Sequence, residues 1–174
     1  MRNNIKGALA SMNLIRRYWR IIFPIIIGIL IWALSDHNGD TSAGESNTIA
    51  DILGISNGLA RKLAHFVLYG AMGYGIASFI KGLHPVSFPK LTQIMYPIIV
   101  TVIYGAIDEV HQLTVMGRNG SAKDVILDAL AGVAGTFVYI IIFCFIRMRR
   151  NKRSLVNNII EEQKENAEQI IAEN

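Results

Sequence analysis

Cysteine is almost absent from this chain. Cys144 stands alone inside an apolar block, so neither an intramolecular disulfide nor a cysteine metal centre can be built, and helix packing or lipid contact accounts for the thiol. There is no Gly-rich phosphate loop, no serine-nucleophile motif and no interleaving of basic and aromatic residues. Nucleotide hydrolysis, serine-hydrolase chemistry and nucleic-acid binding therefore find no support. Charge is missing too from the middle of four long apolar stretches, which excludes an ordinary water-soluble surface along them.

What remains is apolar. The 174 residues are 52% hydrophobic, mean hydropathy is +0.36, and the charge-poor blocks alternate with charged connectors, the pattern expected when lipid is the solvent. Spans are predicted near residues 18–35, 59–80, 91–113 and 121–146. The fold class is all-α: a polytopic membrane protein with four transmembrane helices in a small bundle. The expected organisation is a cytoplasmic N-terminus over 1–17, a transmembrane domain over 18–146, and a cytoplasmic tail over 147–174 that is first basic, then acidic and amphipathic, with no separate soluble domain. A basic start followed by an apolar block also fits a signal peptide, but no clean small-x-small cleavage site follows, so an uncleaved helix is favoured.

The net charge of +4 follows topology rather than a nucleic-acid partner. Arg2, Lys6, Arg16, Arg17 and Arg20 flank the first span, and Arg147, Arg149, Arg150, Lys152 and Arg153 follow the last. The positive-inside rule then places both termini in the cytoplasm, N-in and C-in, with anionic lipid as the natural contact of these cations. The acidic 36–60 stretch, with a short helix expected at 49–55, and the Gly117-Arg118-Asn119-Gly120 turn fall outside. The 81–90 link falls inside.

On this topology the costly intramembrane charges converge. Glu109 lies eighteen residues past Leu91, about 27 Å along a helix, so the end of the third span meets the start of the second and fourth. Lys62, His65 and Tyr69 share one helical stripe. Glu109 and Gln112 form one i, i+3 pair, and Asp108 and His111 form another turned about 100° away. The first is expected to face inward and the second to meet water. Arg118 can grip a phosphate or carboxylate in bidentate fashion. Asp124 sits three residues after Ser121 in a capping-box pattern. Asp128 heads a stripe with Gly132 and Gly135 that suits close helix contact. Ionised, it needs a partner, Lys62 or Arg118, and the alternative is a protonated, hydrogen-bonded carboxyl.

Blander readings compete with each of these. Lys62 can snorkel, His65 can simply bond a neighbouring helix, and His111 reads as an interfacial histidine. Arg61, Lys62, Arg118 and Lys123 balance Asp108, Glu109, Asp124 and Asp128, four of each sign, so a structural ion-pair network competes with a binding site. A zinc site from His65, His111, Glu109 and Asp128 has suitable ligand types, but no histidine pair has the i, i+4 spacing of a metalloprotease helix. No metal and no cofactor are expected.

The order Lys62-x-x-His65-Phe66-x-x-Tyr69, Glu109-x-x-Gln112, Gly117-Arg118, Asp124-x-x-x-Asp128-x-x-x-Gly132-x-x-Gly135 resembles the VanZ-like family of bacterial membrane proteins over about residues 60–143. Two positions depart from the family pattern: Asp128 stands where Asn is common, and Met116 where proline often precedes Gly-Arg. The family's founding member is associated with resistance to teicoplanin. The resemblance implies a multi-pass protein of the bacterial cytoplasmic membrane with a role in the cell envelope. Lys62, His65, Tyr69, Glu109, Gln112, Arg118, Asp124 and Asp128 would form a polar site in the outer leaflet. Its expected partners are membrane lipids, a lipid-linked cell-wall precursor or a lipoglycopeptide antibiotic. Binding is preferred over catalysis. An intramembrane acid/base enzyme using Glu109, Asp128 or His65, or a proton-coupled transporter, are the alternatives. No oligomeric state follows from the sequence.

Overall fold

A computed structural model describes residues 2–36, 50–83, 91–115 and 121–172, with side chains described from residue 18 to residue 169 within these ranges. Four long helices account for nearly all of it. These are α1 (Arg2–Ser35), α2 (Asn57–Leu83), α3 (Leu91–Gln112) and α4 (Ala122–Ala172). Each contains a stretch long and apolar enough to cross a bilayer, beginning at Tyr18 in α1 and at Asn57, Leu91 and Ala122 in the others. The four expected spans are therefore present, and the fold is an all-α membrane protein. Among the described residues there is no strand.

The helix ends follow local chemistry. Ser56 starts α2 by accepting the Leu59 amide at its hydroxyl and the Ala60 amide at its carbonyl. Ser121 does the same for α4, with its Oγ 3.2 Å from the Lys123 amide nitrogen. Part of the short helix expected at 49–55 is seen as a helical turn over residues 50–53. It closes with Gly54 at φ +65° and an Ile55 amide bonded to the Ala50 carbonyl. That is the left-handed C-terminal cap glycine adopts without a Cβ penalty.

The chain divides into two compact units, Met1–Tyr139 and Ile140–Asn174. In the first, Ile31, Tyr69, Met72 and Ala131 form the buried cluster, joined by Ile27, Leu68, Ile76 and Tyr104. Its burial pattern is inverted relative to a soluble bundle. The buried positions of α3 are Gln93, Pro97, Thr101, Gly105, Asp108, Glu109 and Gln112, whereas Ile103, Ile107 and Val110 point outward. Lipid is as apolar as isoleucine, so large aliphatic side chains gain nothing by turning inward. Small and polar residues can bring backbones together or find partners only inside.

Glycines set the closest crossings. A Cβ on Gly135 would overlap the Gly70 carbonyl, one on Gly73 would overlap the Gly132 carbonyl, and one on Gly132 would strike Thr101. Thus α2 and α4 meet backbone to backbone at this seam, and the Thr101 side chain of α3 packs directly onto Gly132. Thr101 turns its hydroxyl back onto the Pro97 carbonyl at 2.8 Å. Tyr104 reaches across to α1 and donates to the Gly28 carbonyl at 2.6 Å. Helix α4 continues unbroken through Arg147, so the tail residues 147–172 are helical. In the second unit Arg149 stacks over the Phe145 ring at 4.4 Å. Leu155, Val156, Ile159 and Ile160 lie exposed on its helix.

Candidate functional site

The glycine seam leads directly to a buried polar cluster one turn away. Asp128 follows from the seam on α4, and the absence of a side chain at Gly105 leaves room for the Asp128 Cβ and the Tyr69 ring, each about 3.4–3.5 Å from where a Gly105 Cβ would sit. At the centre is Asp108, which is 1% exposed. Its Oδ2 accepts hydrogen bonds from the Ser35 hydroxyl at 2.9 Å, the Tyr69 hydroxyl at 3.2 Å and the Gln112 amide at 3.1 Å. Gln112 also donates to Ser35 Oγ. One carboxylate therefore ties α1, α2 and α3 together. Its other oxygen, Oδ1, is buried without a hydrogen-bond partner.

Asp128, also 1% exposed, faces His65, whose Nδ1 is 3.5 Å from Asp128 Oδ1. His65 in turn lies against Tyr69, with ring centroids 6.0 Å apart. Lys62, Asp124 and Glu109 complete this end of the unit. Lys62 pairs with Asp124 at 3.6 Å, in a partly solvated position. Glu109 accepts the Ser121 backbone amide. In a capping box the side chain three residues into the helix takes that amide. Here Glu109 supplies it from the neighbouring helix, and Asp124 is left to pair with Lys62.

Several expectations change. Asp108 does not meet water; it is the hub, and Gln112 joins it as an i, i+4 pair rather than pairing with Glu109. The reason is the α3 stripe Gln93, Pro97, Thr101, Gly105, Asp108 and Gln112, which continues the helical repeat of small and polar residues. That stripe was present in the sequence and is the signal that points to Asp108. Glu109 is also buried, next to the start of α4. Asp128 is partnered by His65, not by Lys62. Arg118, the other expected partner, lies outside the described residues. Ser35 was not singled out by spacing, because its role arises only where α1 ends beside α3.

His111 occupies a separate corner. It stacks on Trp32 with centroids 4.1 Å apart. Its Nε2 is 3.2 Å from Asp36 Oδ1, close enough for charge pairing, although the angle does not make a hydrogen bond.

On the other side of this polar layer, an apolar cleft of about 980 Å³ runs between α1, α2 and α3. Its walls include Ile25, Ile29, Met72, Phe79, Tyr96 and Val100. Trp32, Met72 and Tyr104 close the cleft about one helical turn from Ser35, Tyr69 and Asp108. An apolar trough thus ends beside a concentrated set of ionisable groups. Such an arrangement can hold the tail of an amphipathic molecule while its head meets charge.

Residues 12–143 match the VanZ/LLP1 family. No curated protein and no solved structure matches the chain.

Proposed function

Because the chain belongs to the VanZ/LLP1 family, and its helices are those of a multi-pass membrane protein, we propose that it acts in the bacterial cell envelope by engaging a lipid-bearing ligand. The ligand class comprises envelope lipids, lipid-linked cell-wall precursors and teicoplanin-type lipoglycopeptides, which all join an acyl or prenyl chain to a polar head. The observation that carries this reading is the apolar cleft that closes at Trp32, Met72 and Tyr104, about one helical turn from Tyr69 and Asp108, with Lys62, His65, Glu109, Gln112, Asp124 and Asp128 grouped beyond them at the same end of the unit. The clustered cations at both flanks favour cytoplasmic termini, an orientation that turns this layer outward, toward the leaflet where cell-wall precursors are used.

In this role Lys62, exposed and on a flexible stem, supplies the charge that meets an anionic head. Asp124 holds it in place until the ligand competes. Arg118, which precedes α4 in the sequence, is assigned a second anion contact. Asp108 and Gln112 keep the helix ends in register beneath. Ligand binding rather than catalysis suits Glu109, whose carboxylate is engaged by the Ser121 amide.

The test is resistance at controlled abundance. Wild type and the Lys62→Ala, His65→Ala and Asp128→Ala variants are expressed to equal membrane levels in a susceptible Gram-positive host. Teicoplanin and vancomycin tolerance are then measured side by side. The proposal expects wild type to raise tolerance to teicoplanin over vancomycin and the variants to lose that difference. Unchanged tolerance with wild type removes the antibiotic from the ligand class. Absence of saturable binding in detergent to both a lipid-linked precursor and an anionic envelope lipid removes the rest.

A further inference from the structure

His65, Asp108 and Asp128 come from three different helices, yet each offers a ligand atom within 4.8 Å of the others. From this juxtaposition we propose that the three side chains form a binding site for a single divalent metal ion of the zinc or manganese type. This goes beyond lipid engagement and does not depend on which lipid-bearing ligand is bound.

Geometry supports it first. In a tetrahedral site with ligands at roughly 2.0–2.1 Å, neighbouring ligand atoms stand about 3.3 Å apart. The His65 Nδ1 to Asp128 Oδ1 separation of 3.5 Å matches that edge. The remaining separations, all under 4.8 Å, close by small side-chain rotations toward an ion.

The second support is the carboxylate of Asp108. Three donors, Ser35, Tyr69 and Gln112, converge on Oδ2 and fix its orientation. Oδ1 is left buried and unpartnered. An unpaired carboxylate oxygen inside a helical membrane unit is costly, and full pairing of one oxygen with none on the other is how outer hydrogen bonds prepare a metal ligand. Among the described residues, the cation nearest in role, Lys62, is spent on Asp124, so an ion would supply the missing positive charge for Asp108 and Asp128.

Donor chemistry narrows the class. One imidazole and two carboxylates suit zinc, manganese or ferrous ions better than magnesium or calcium, which favour all-oxygen sets, and there is no thiolate to select copper(I). Three protein ligands also leave a position for water or for an anionic oxygen of a bound molecule.

The experiment uses the full chain purified in detergent, stripped with chelator and dialysed against Zn²⁺, Mn²⁺ or Co²⁺, with bound metal measured by mass spectrometry. About one equivalent per chain is expected for at least one of these ions, retained in millimolar Mg²⁺. His65→Gln, Asp108→Asn and Asp128→Asn should each abolish it. Tyr69→Phe, which removes one orienting bond to Asp108, should weaken it roughly 10–100-fold. Asp36→Asn, at the His111 corner, should bind as wild type. Each variant is first shown to be monodisperse and helical. If Asp108→Asn does not fold, His65→Gln and Asp128→Asn carry the comparison. No stoichiometric binding of any of the three ions at 100-fold excess over protein overturns the proposal, as does binding that survives loss of His65 and of Asp128.

Discussion

Two neighbouring regions of the Met1–Tyr139 unit hold helices together by opposite means. At the seam, Gly70 and Gly73 of α2 meet Gly132 and Gly135 of α4 with no side chain between them, and the contact depends on shape. One turn away, Ser35, Tyr69, Asp108 and Gln112 join α1, α2 and α3 through hydrogen bonds to one carboxylate oxygen, and the contact depends on polarity. The difference shows how a small membrane protein separates assembly from chemistry. A glycine seam positions backbones but can bind nothing, while buried carboxylates can bind ligands yet need a rigid frame to hold them. The seam supplies that frame because Asp128 is carried on the same helix face as Gly132 and Gly135.

The strongest way to break the comparison is Gly135→Val. Its side chain meets a backbone carbonyl that cannot rotate away, so the loss should reach or exceed the upper end of the roughly 1–3 kcal/mol cost of overpacking. Membrane abundance and thermal midpoint in detergent should both fall sharply. A wild-type midpoint would mean that the seam does not govern assembly.

Asp108→Ala should be next. Hydrogen bonds between membrane helices average about 0.6 kcal/mol, so losing three should cost about 2 kcal/mol, read as a lower midpoint in the same assay. If Asp108→Ala proves as mild as a surface change, the hub is not structural.

Tyr104→Phe removes the single bond to the Gly28 carbonyl. About 0.6 kcal/mol is expected, with a small midpoint shift and normal abundance. A loss as large as that of Gly135→Val would show that Tyr104, not the seam, limits stability.

The smallest stability effect belongs to Lys62→Ala. Its pair with Asp124 is partly solvated, so the change should be within about 0–1 kcal/mol. Function should suffer more than folding here: normal abundance combined with lost ligand binding would sharpen the contrast between frame and site. Parallel loss of both would assign Lys62 to structure.

The two regions were not equally legible. Gly132 and Gly135 announced close packing by their spacing, and the four spans were legible as charge-poor blocks. The second and third match their helices within a few residues, whereas α1 already begins at Arg2 and α4 runs on to Ala172, because charged residues outside the apolar core are no bar to a continuing helix. The polar cluster was legible in residue type and in depth, since His65, Gln112 and Asp128 do converge with Tyr69. Its hub was not, because Asp108 and Glu109 are adjacent and helical periodicity alone allowed either to be favoured. Choosing Glu109 with Gln112 ignored the small-residue stripe through Thr101 and Gly105. The role of Ser35 had no local signal at all.

Sequence alone determined that this chain lives in lipid as four helices, because burying charge or leaving backbone groups unpaired in hydrocarbon is costly enough to force long apolar segments with polar residues at their ends. It also determined that those polar residues lie at one level, since helix rise and alternating direction leave no other arrangement. Tertiary structure decided which partners they take. Whether Asp128 meets Lys62 or His65, and whether Asp108 faces water or three donors, depends on helix rotation to within a fraction of a turn. That rotation is set by the glycine contacts between helices, which act at a distance of many residues along the chain.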